Sequence, residues 1–153
     1  MSMQIAENIM TGQSPAPPPE PAGASAHEVR FPQGLPGFPG ATRFRLEPLL
    51  PPSGLLRLVS VDVPELRFLV VAHTEGRLPL NRGDLETACV ELGIAPDHAA
   101  ILVVVTAQVN PNSGRHHLFV NLRAPIFVDT LQRAAVQHVL PCPTYPVRHP
   151  LAA

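Results

Sequence analysis

The sequence has 153 residues, 45% apolar and 15% charged, so it is long enough and apolar enough to bury a core as one domain. Its 11 basic residues are all arginines, and the formal net charge of −1 excludes the basic surplus typical of nucleic-acid binding. The most apolar run, residues 99–105, is far shorter than the roughly 20 residues that a membrane-spanning helix needs. We therefore expect a soluble protein that contacts neither nucleic acid nor membrane directly.

Residues 1–28 have the composition of a tail. Prolines and small residues dominate the second half of this stretch, and such residues bury too little apolar area for a core. Its first ten residues contain no basic residue, unlike a secretory signal. Its three glutamates give a net charge of −3, which leaves nine acids and 11 arginines, a net of +2, for the rest. We predict a disordered, proline-rich leader over 1–28 and a single folded domain over 29–153.

The folded part begins with a turn. In the segment 34–38, Gly-Leu-Pro-Gly-Phe, Pro36 presets φ and Gly37 tolerates the positive φ that a type II turn requires. Short strand-like runs follow at 44–46, 55–63 and 67–73. The last run is nearly all apolar, as expected of a strand that is covered on both faces.

One helix is predicted in the middle of the chain. Asn81 or Asp84 can cap its N-terminus, and Gly93 is placed to end it. Its apolar face is formed by residues at i, i+3, i+4 and i+7, namely Leu85, Ala88, Cys89 and Leu92.

The second half of the chain reads as strands and turns. The run 99–109 is the strongest strand signal, the turn residues 110–114 follow it, and the run 116–122 returns to form a β-hairpin. Two further strands are predicted over 124–128 and 136–140. We expect a mainly β fold, an antiparallel small barrel or sandwich with one short helix.

Nothing in the sequence indicates catalytic chemistry. The seven histidines lack metal-ligand spacing, and His116 and His117 point to opposite faces of a predicted strand. Cys89 and Cys142 form no CxxC pattern, so we expect two reduced thiols packed as small hydrophobes. We therefore predict a protein that is not an enzyme, with no catalytic residues, no cofactor and no metal.

Several stretches, taken in order, resemble one family. Phe31-Pro-Gln-Gly-Leu-Pro-Gly-Phe38 looks like the F-x-x-G-L-P-G-F signature of the FliW family. Val120-Asn-Leu-Arg-Ala-Pro-Ile-Phe127 is similar to its N-L-x-A-P-I segment. Ala135 to Leu140, followed by Tyr145 and Arg148, resembles the closing Q-x-x-L strand and the Y-x-x-R after it. The resemblance covers about residues 29–149.

The resemblance implies a β-rich cytoplasmic flagellar assembly factor. Members bind CsrA, a small dimeric RNA-binding repressor, and so relieve its block on flagellin mRNA, and they also bind flagellin, which competes with CsrA. One departure concerns charge, because relatives tend to be acidic whereas residues 29–153 here are net +2. If CsrA is a partner, local acids or apolar contacts must replace bulk attraction.

The two motifs supply the candidate partner-binding residues, which are Leu35, Phe38, Asn121, Arg123 and Pro125. An exposed Phe38 would be an interface anchor, whereas a buried Phe38 would belong to the core. Asn121 can hold its hairpin by bonds from side chain to backbone, and Arg123 can face either a partner or solvent.

Two alternatives remain open from the sequence. A flagellin-only chaperone of the same fold would suit a domain that is not acidic. A small metal-dependent enzyme that uses scattered acids and histidines would need those residues to meet in three dimensions.

Overall fold

The computed structural model describes residues 28–49, 54–74 and 76–151. The predicted leader lies outside these residues except for Glu28, with which the first strand begins. The strands are β1 (Glu28–Arg30), β2 (Arg43–Pro48), β3 (Leu55–Ser60), β4 (Arg67–Ala72), β5 (Ala99–Val109), β6 (His116–Val120), β7 (Ile126–Asp129), β8 (Ala134–Gln137) and β9 (His149–Pro150). Helix α1 spans Arg82–Leu92, and a short 3-10 turn spans Pro96–His98.

The strands form a sheet that closes on itself. Its order is β4-β3-β2-β1-β8-β7-β5-β6-β9, and β4 also pairs with β5, so the seven strands from β4 to β5 form a ring that β6 and β9 extend. The prediction of a mainly β fold is confirmed, and the form is a small barrel. All pairings are antiparallel except that of β1 with β8, where Arg30 lies opposite Ala134.

Two cores lie on the two faces of this ring, because alternate residues of a strand point to opposite sides. On β5, Ala100 and Leu102 belong to the cluster inside the ring. Ile101 and Val103 belong to a second cluster outside it, which also contains residues of α1 and Tyr145. β4 and β5 are therefore covered on both faces, as the apolar runs in the sequence predict.

Helix α1 begins and ends where the sequence predicts. The Asn81 side chain accepts a hydrogen bond from the Asp84 backbone N–H at 3.1 Å, and Gly93 ends the helix with φ of 76°. Leu85, Ala88 and Cys89 are buried. At 11 residues, α1 is too short to qualify as a membrane span, and no other helix in the described ranges qualifies either.

Several predicted strands differ from the observed ones at their ends, most of all β3 and β8, and the short strands β1 and β9 were not predicted. β3 ends at Ser60 rather than residue 63, because Asp62 turns back to accept from the backbone N–H of Arg43 at 3.2 Å. The predicted strand 136–140 is observed two residues earlier, as Ala134–Gln137. Beyond it, the Leu140 backbone N–H donates to the Arg123 carbonyl at 2.7 Å, outside any ladder.

Candidate partner-binding surface

Both family-like motifs contribute connections to the same end of the ring. β1 to β4 are antiparallel neighbours, so the connections β1–β2 (31–42) and β3–β4 (61–66) lie at one end. Residues 121–125 lie at the same end. They directly precede Ile126, the first residue of β7, which pairs with Leu102 of β5. From Leu102, β5 runs on to Val105, which pairs with Leu69 near the start of β4. We call this the loop end of the barrel.

The turn of the first motif separates a buried residue from an exposed one. The Phe38 backbone N–H donates to the Leu35 carbonyl at 2.7 Å, and Gly37 has φ of 87°, as a type II turn requires. Leu35 is 6% exposed and packs into the inner core, whereas Phe38 is 44% exposed. The turn therefore presents a phenylalanine ring at the surface.

Phe38 lies on a shallow apolar surface, which we call the Phe38 patch. Its ring packs edge-on against Phe68 with centroids 6.1 Å apart. The hollow beside it is lined by Phe38, Gly40, Ala41, Val63, Glu65 and Leu66. Val63 is 45% exposed, so two large apolar side chains meet solvent here with one carboxylate among the lining residues.

The second motif forms an insertion in a strand. Val120 pairs with Val105, and Ile126 pairs with Leu102, so the five residues 121–125 face only two residues of β5. We call them the Asn121 excursion.

The Asn121 side chain holds the shape of this excursion. Its oxygen accepts from the backbone N–H groups of Arg123 at 3.1 Å and Ala124 at 3.2 Å. This matches the predicted role of Asn121 in local backbone bonding.

Arg123 is committed to contacts inside the protein. Its guanidinium donates to the carbonyls of Tyr145 and Pro143, both at 2.9 Å. The Tyr145 hydroxyl in turn donates to Asp84 at 2.6 Å and accepts from the Asn81 N–H at 3.0 Å. This chain of contacts, the Tyr145 latch, joins the Asn121 excursion to the C-terminal segment and to the start of α1.

The five candidate residues fall into three groups at the loop end, according to their exposure. Phe38 is exposed, Leu35 and Pro125 are buried, and Asn121 and Arg123 are half-buried and bonded to neighbouring backbone. Val63 and Leu66 belong to the same surface as Phe38 but were not among the candidates. In the sequence, apolar residues on either side of Pro64-Glu65 in a tight connection could have indicated that Val63 and Leu66 reach this surface.

Charge is unevenly distributed over the surface. The segment 82–97 carries four acids and one arginine, and the acids are Asp84, Glu86, Glu91 and Asp97. All four sit on or just after α1, and Glu86 forms an ion pair with Arg82 at 3.4 Å. The helix side of the molecule is therefore acidic although residues 29–153 are net +2.

Groups that could bind a metal are dispersed. Among the described residues, no three or more His, Cys, Asp or Glu side chains come together as a metal site. Cys89 and Cys142 are both free thiols.

The described residues form a small closed β-barrel that carries one helix and an exposed aromatic patch. The family model described as FliW protein matches residues 21–151, and the chain belongs to the FliW family of flagellar assembly factors.

Individual relatives agree with this assignment. The chain is 31% identical over 124 residues to a flagellar assembly factor FliW from Geobacillus thermodenitrificans, with 80% of this chain and 83% of that protein covered. It is 28% identical over 123 residues to one from Carboxydothermus hydrogenoformans, covering 79% and 76%. A crystal structure of the flagellar assembly factor FliW superposes with a TM-score of 0.65 at 26% identity, covering 85% and 89%.

Proposed function

We propose that this chain is a non-enzymatic, cytoplasmic flagellar assembly factor that binds a CsrA-type RNA-binding repressor and flagellin in competition. Its membership of the FliW family carries the proposal, because the family model spans nearly the whole chain. Both motifs that imply these partners contribute to the loop end of the barrel.

The regulatory logic needs only binding. Two ligands that exclude each other on one protein are thermodynamically linked, so the concentration of free flagellin sets the concentration of free repressor. Unexported flagellin would occupy the factor, release the repressor and so lower flagellin synthesis.

The Phe38 patch is our proposed contact surface. Interfaces are usually anchored by an aromatic side chain surrounded by apolar neighbours, and Phe38 is the exposed aromatic among the five candidate residues. Leu35 supports this surface from inside, whereas Asn121 and Arg123 keep the neighbouring excursion in shape.

The acidic helix side gives a basic repressor a local attraction that the total charge does not provide. Segment 82–97 has a net charge of −3, from four acids and one arginine. Such a patch raises the rate of association more than the final affinity, and its effect weakens with salt.

The test is competition between purified partners on the immobilised full chain. We expect the wild-type chain to retain the repressor and to release it as flagellin is added. Retention of neither protein would refute the proposal. Calorimetric titration with the repressor separates it from the flagellin-only chaperone, which the net charge of +2 over residues 29–153 favours and which predicts no heat.

Phe38→Ala tests the proposed surface. We expect the variant to bind the repressor and flagellin at least about tenfold more weakly, as for the loss of an aromatic anchor. The matched control is Leu131→Ala, because Leu131 is 71% exposed and lies in the β7–β8 turn. Equal binding by wild type and Phe38→Ala, with both folded by thermal unfolding, would exclude the patch.

A further inference from the structure

The β5–β6 hairpin extends past the ring, and, among the described residues, part of β5 is left without a paired strand on the side of β4. β4 pairs with β5 only over Leu102–Val105, so the segment Thr106–Val109 has no neighbour on that side among the described strands. All four residues of this segment are exposed, and Val109 is 57% exposed. We call this segment the bare edge.

The backbone groups on the bare edge are identified by the pairing pattern. The Asn110 N–H donates to the Arg115 carbonyl at 2.8 Å, so this opposed pair is bonded across the hairpin. In an antiparallel ladder such pairs alternate with pairs whose N–H and C=O groups point outward. Ala107 and Val109 therefore direct their backbone donors and acceptors away from β6.

The segment that forms the bare edge contains no charged residue and no proline. Natural edge strands are shielded by charged side chains, proline or a bulge, which prevents unwanted pairing. The sequence here is Thr-Ala-Gln-Val, and its ladder with β6 is regular. An exposed edge of this kind is suited to accept an extended peptide as an added strand.

The β5–β6 hairpin itself carries arginine and no acidic residue. Residues 98–128 contain no Asp or Glu, and Arg115 at the turn supplies the positive charge of the hairpin. Arg148 lies over the Phe119 ring at 4.0 Å and donates to the Gln108 side chain on the segment itself. Two copies of this hairpin would repel each other, so charge disfavours edge-to-edge pairing of the chain with itself.

We propose that the bare edge Thr106–Val109 binds an extended, acidic segment of a partner protein, which adds to β5 as a further strand. The main-chain bonds of Ala107 and Val109 would supply affinity, and the basic residues of the hairpin would select the acidic sequence. The bare edge shares no residue with the Phe38 patch, so different variants test the two proposals.

The experiment uses the full chain and a fluorescent synthetic peptide in which Glu alternates with Val or Thr. Anisotropy should show binding that weakens with added NaCl, and a peptide with Lys in place of Glu should bind at least about tenfold more weakly. Val109→Pro removes an outward N–H and should reduce affinity about tenfold or more.

His116→Pro is the matched control. His116 lies opposite Val109, and its N–H points to the other edge of the same hairpin, so peptide affinity should stay within about twofold. Arg115→Glu leaves the bare edge intact and should weaken binding of the acidic peptide, which keeps the test informative if a proline variant fails to fold. Equal binding of both peptides, equal loss in both proline variants, or a chain dimer that Val109→Pro dissociates would overturn the proposal.

Discussion

Two glycines in the turn that carries Phe38 have positive φ but different surroundings. Gly34 has φ of 71°, and a Cβ there would lie 2.6 Å from Pro39 Cα. Gly37 has φ of 87°, with nothing within 4 Å of an added Cβ. The first position combines backbone strain with a clash, whereas the second involves strain alone.

Alanine substitutions should separate these two costs. We expect Gly37→Ala to lower the free energy of unfolding by about 1 kcal/mol and Gly34→Ala to lower it by at least about 2 kcal/mol more. Denaturant unfolding measures both, and Gly37→Ala serves as the control. Equal effects would mean that the backbone around Pro39 relaxes freely.

Arg123 offers a test of structure against surface function. Its guanidinium donates to the carbonyls of Tyr145 and Pro143. Arg123→Ala should destabilise the fold by about 1.5–3 kcal/mol, the range for hydrogen bonds to a charged group, in denaturant unfolding. Arg115→Ala, at an exposed turn-flanking position, should change stability by less than about 0.5 kcal/mol. A stable Arg123→Ala variant that loses partner binding would assign Arg123 to the interface instead.

At the scale of elements, the Tyr145 latch ties the C-terminal segment to α1 and should be sensitive to alkaline pH. Burial, and then the hydrogen bond to Asp84, raise the pKa of Tyr145 above its ordinary value of about 10. The neutral phenol is therefore favoured by folding, so its contribution is complete below pH 10 and is lost as pH rises through the folded pKa.

Tyr145 is the chain's only tyrosine and there is no tryptophan, so ultraviolet absorbance of tyrosinate reports this residue alone. We expect its titration midpoint to lie higher in the folded chain than in denaturant. Unfolding free energy should fall above pH 10, and Tyr145→Phe should reduce the slope. The unfolding free energy of Tyr145→Phe should still fall somewhat with rising pH, because Cys89 also titrates in this range. Burial, and then the charge of Glu86, raise the pKa of Cys89 to about 11. Identical midpoints in the two states would show that the latch is open in solution.

Local signals predicted the elements with self-contained chemistry. Asn81 and Gly93 predict the two ends of helix α1, and the turn residues predict the β5–β6 hairpin. Both predictions succeed because caps and turns depend on residues that are neighbours in sequence. The sequence predicts two successive strands where the Asn121 excursion is observed. The extra residues become visible only from the pairing with β5, which lies about 20 residues earlier in the chain.

At the scale of the whole molecule, the sequence identified part of the candidate surface. The first motif pointed to Phe38, because its turn chemistry is local. Val63 and Leu66 reach the same surface through the pairing of β2, β3 and β4, which single-sequence patterns do not encode. The charge total of +2 for residues 29–153 likewise concealed an acidic helix side and an acid-free hairpin.

Ring closure has a consequence for synthesis. The parallel contact between Arg30 and Ala134 joins the first strand of the domain to one of its last. During translation, β1 leaves the ribosome long before its neighbour β8 exists, and contacts so distant in sequence form late in folding. An incomplete chain therefore lacks a closed barrel and a docked C-terminal segment. Closure of the barrel therefore has to wait for the synthesis of β8, near the end of the domain.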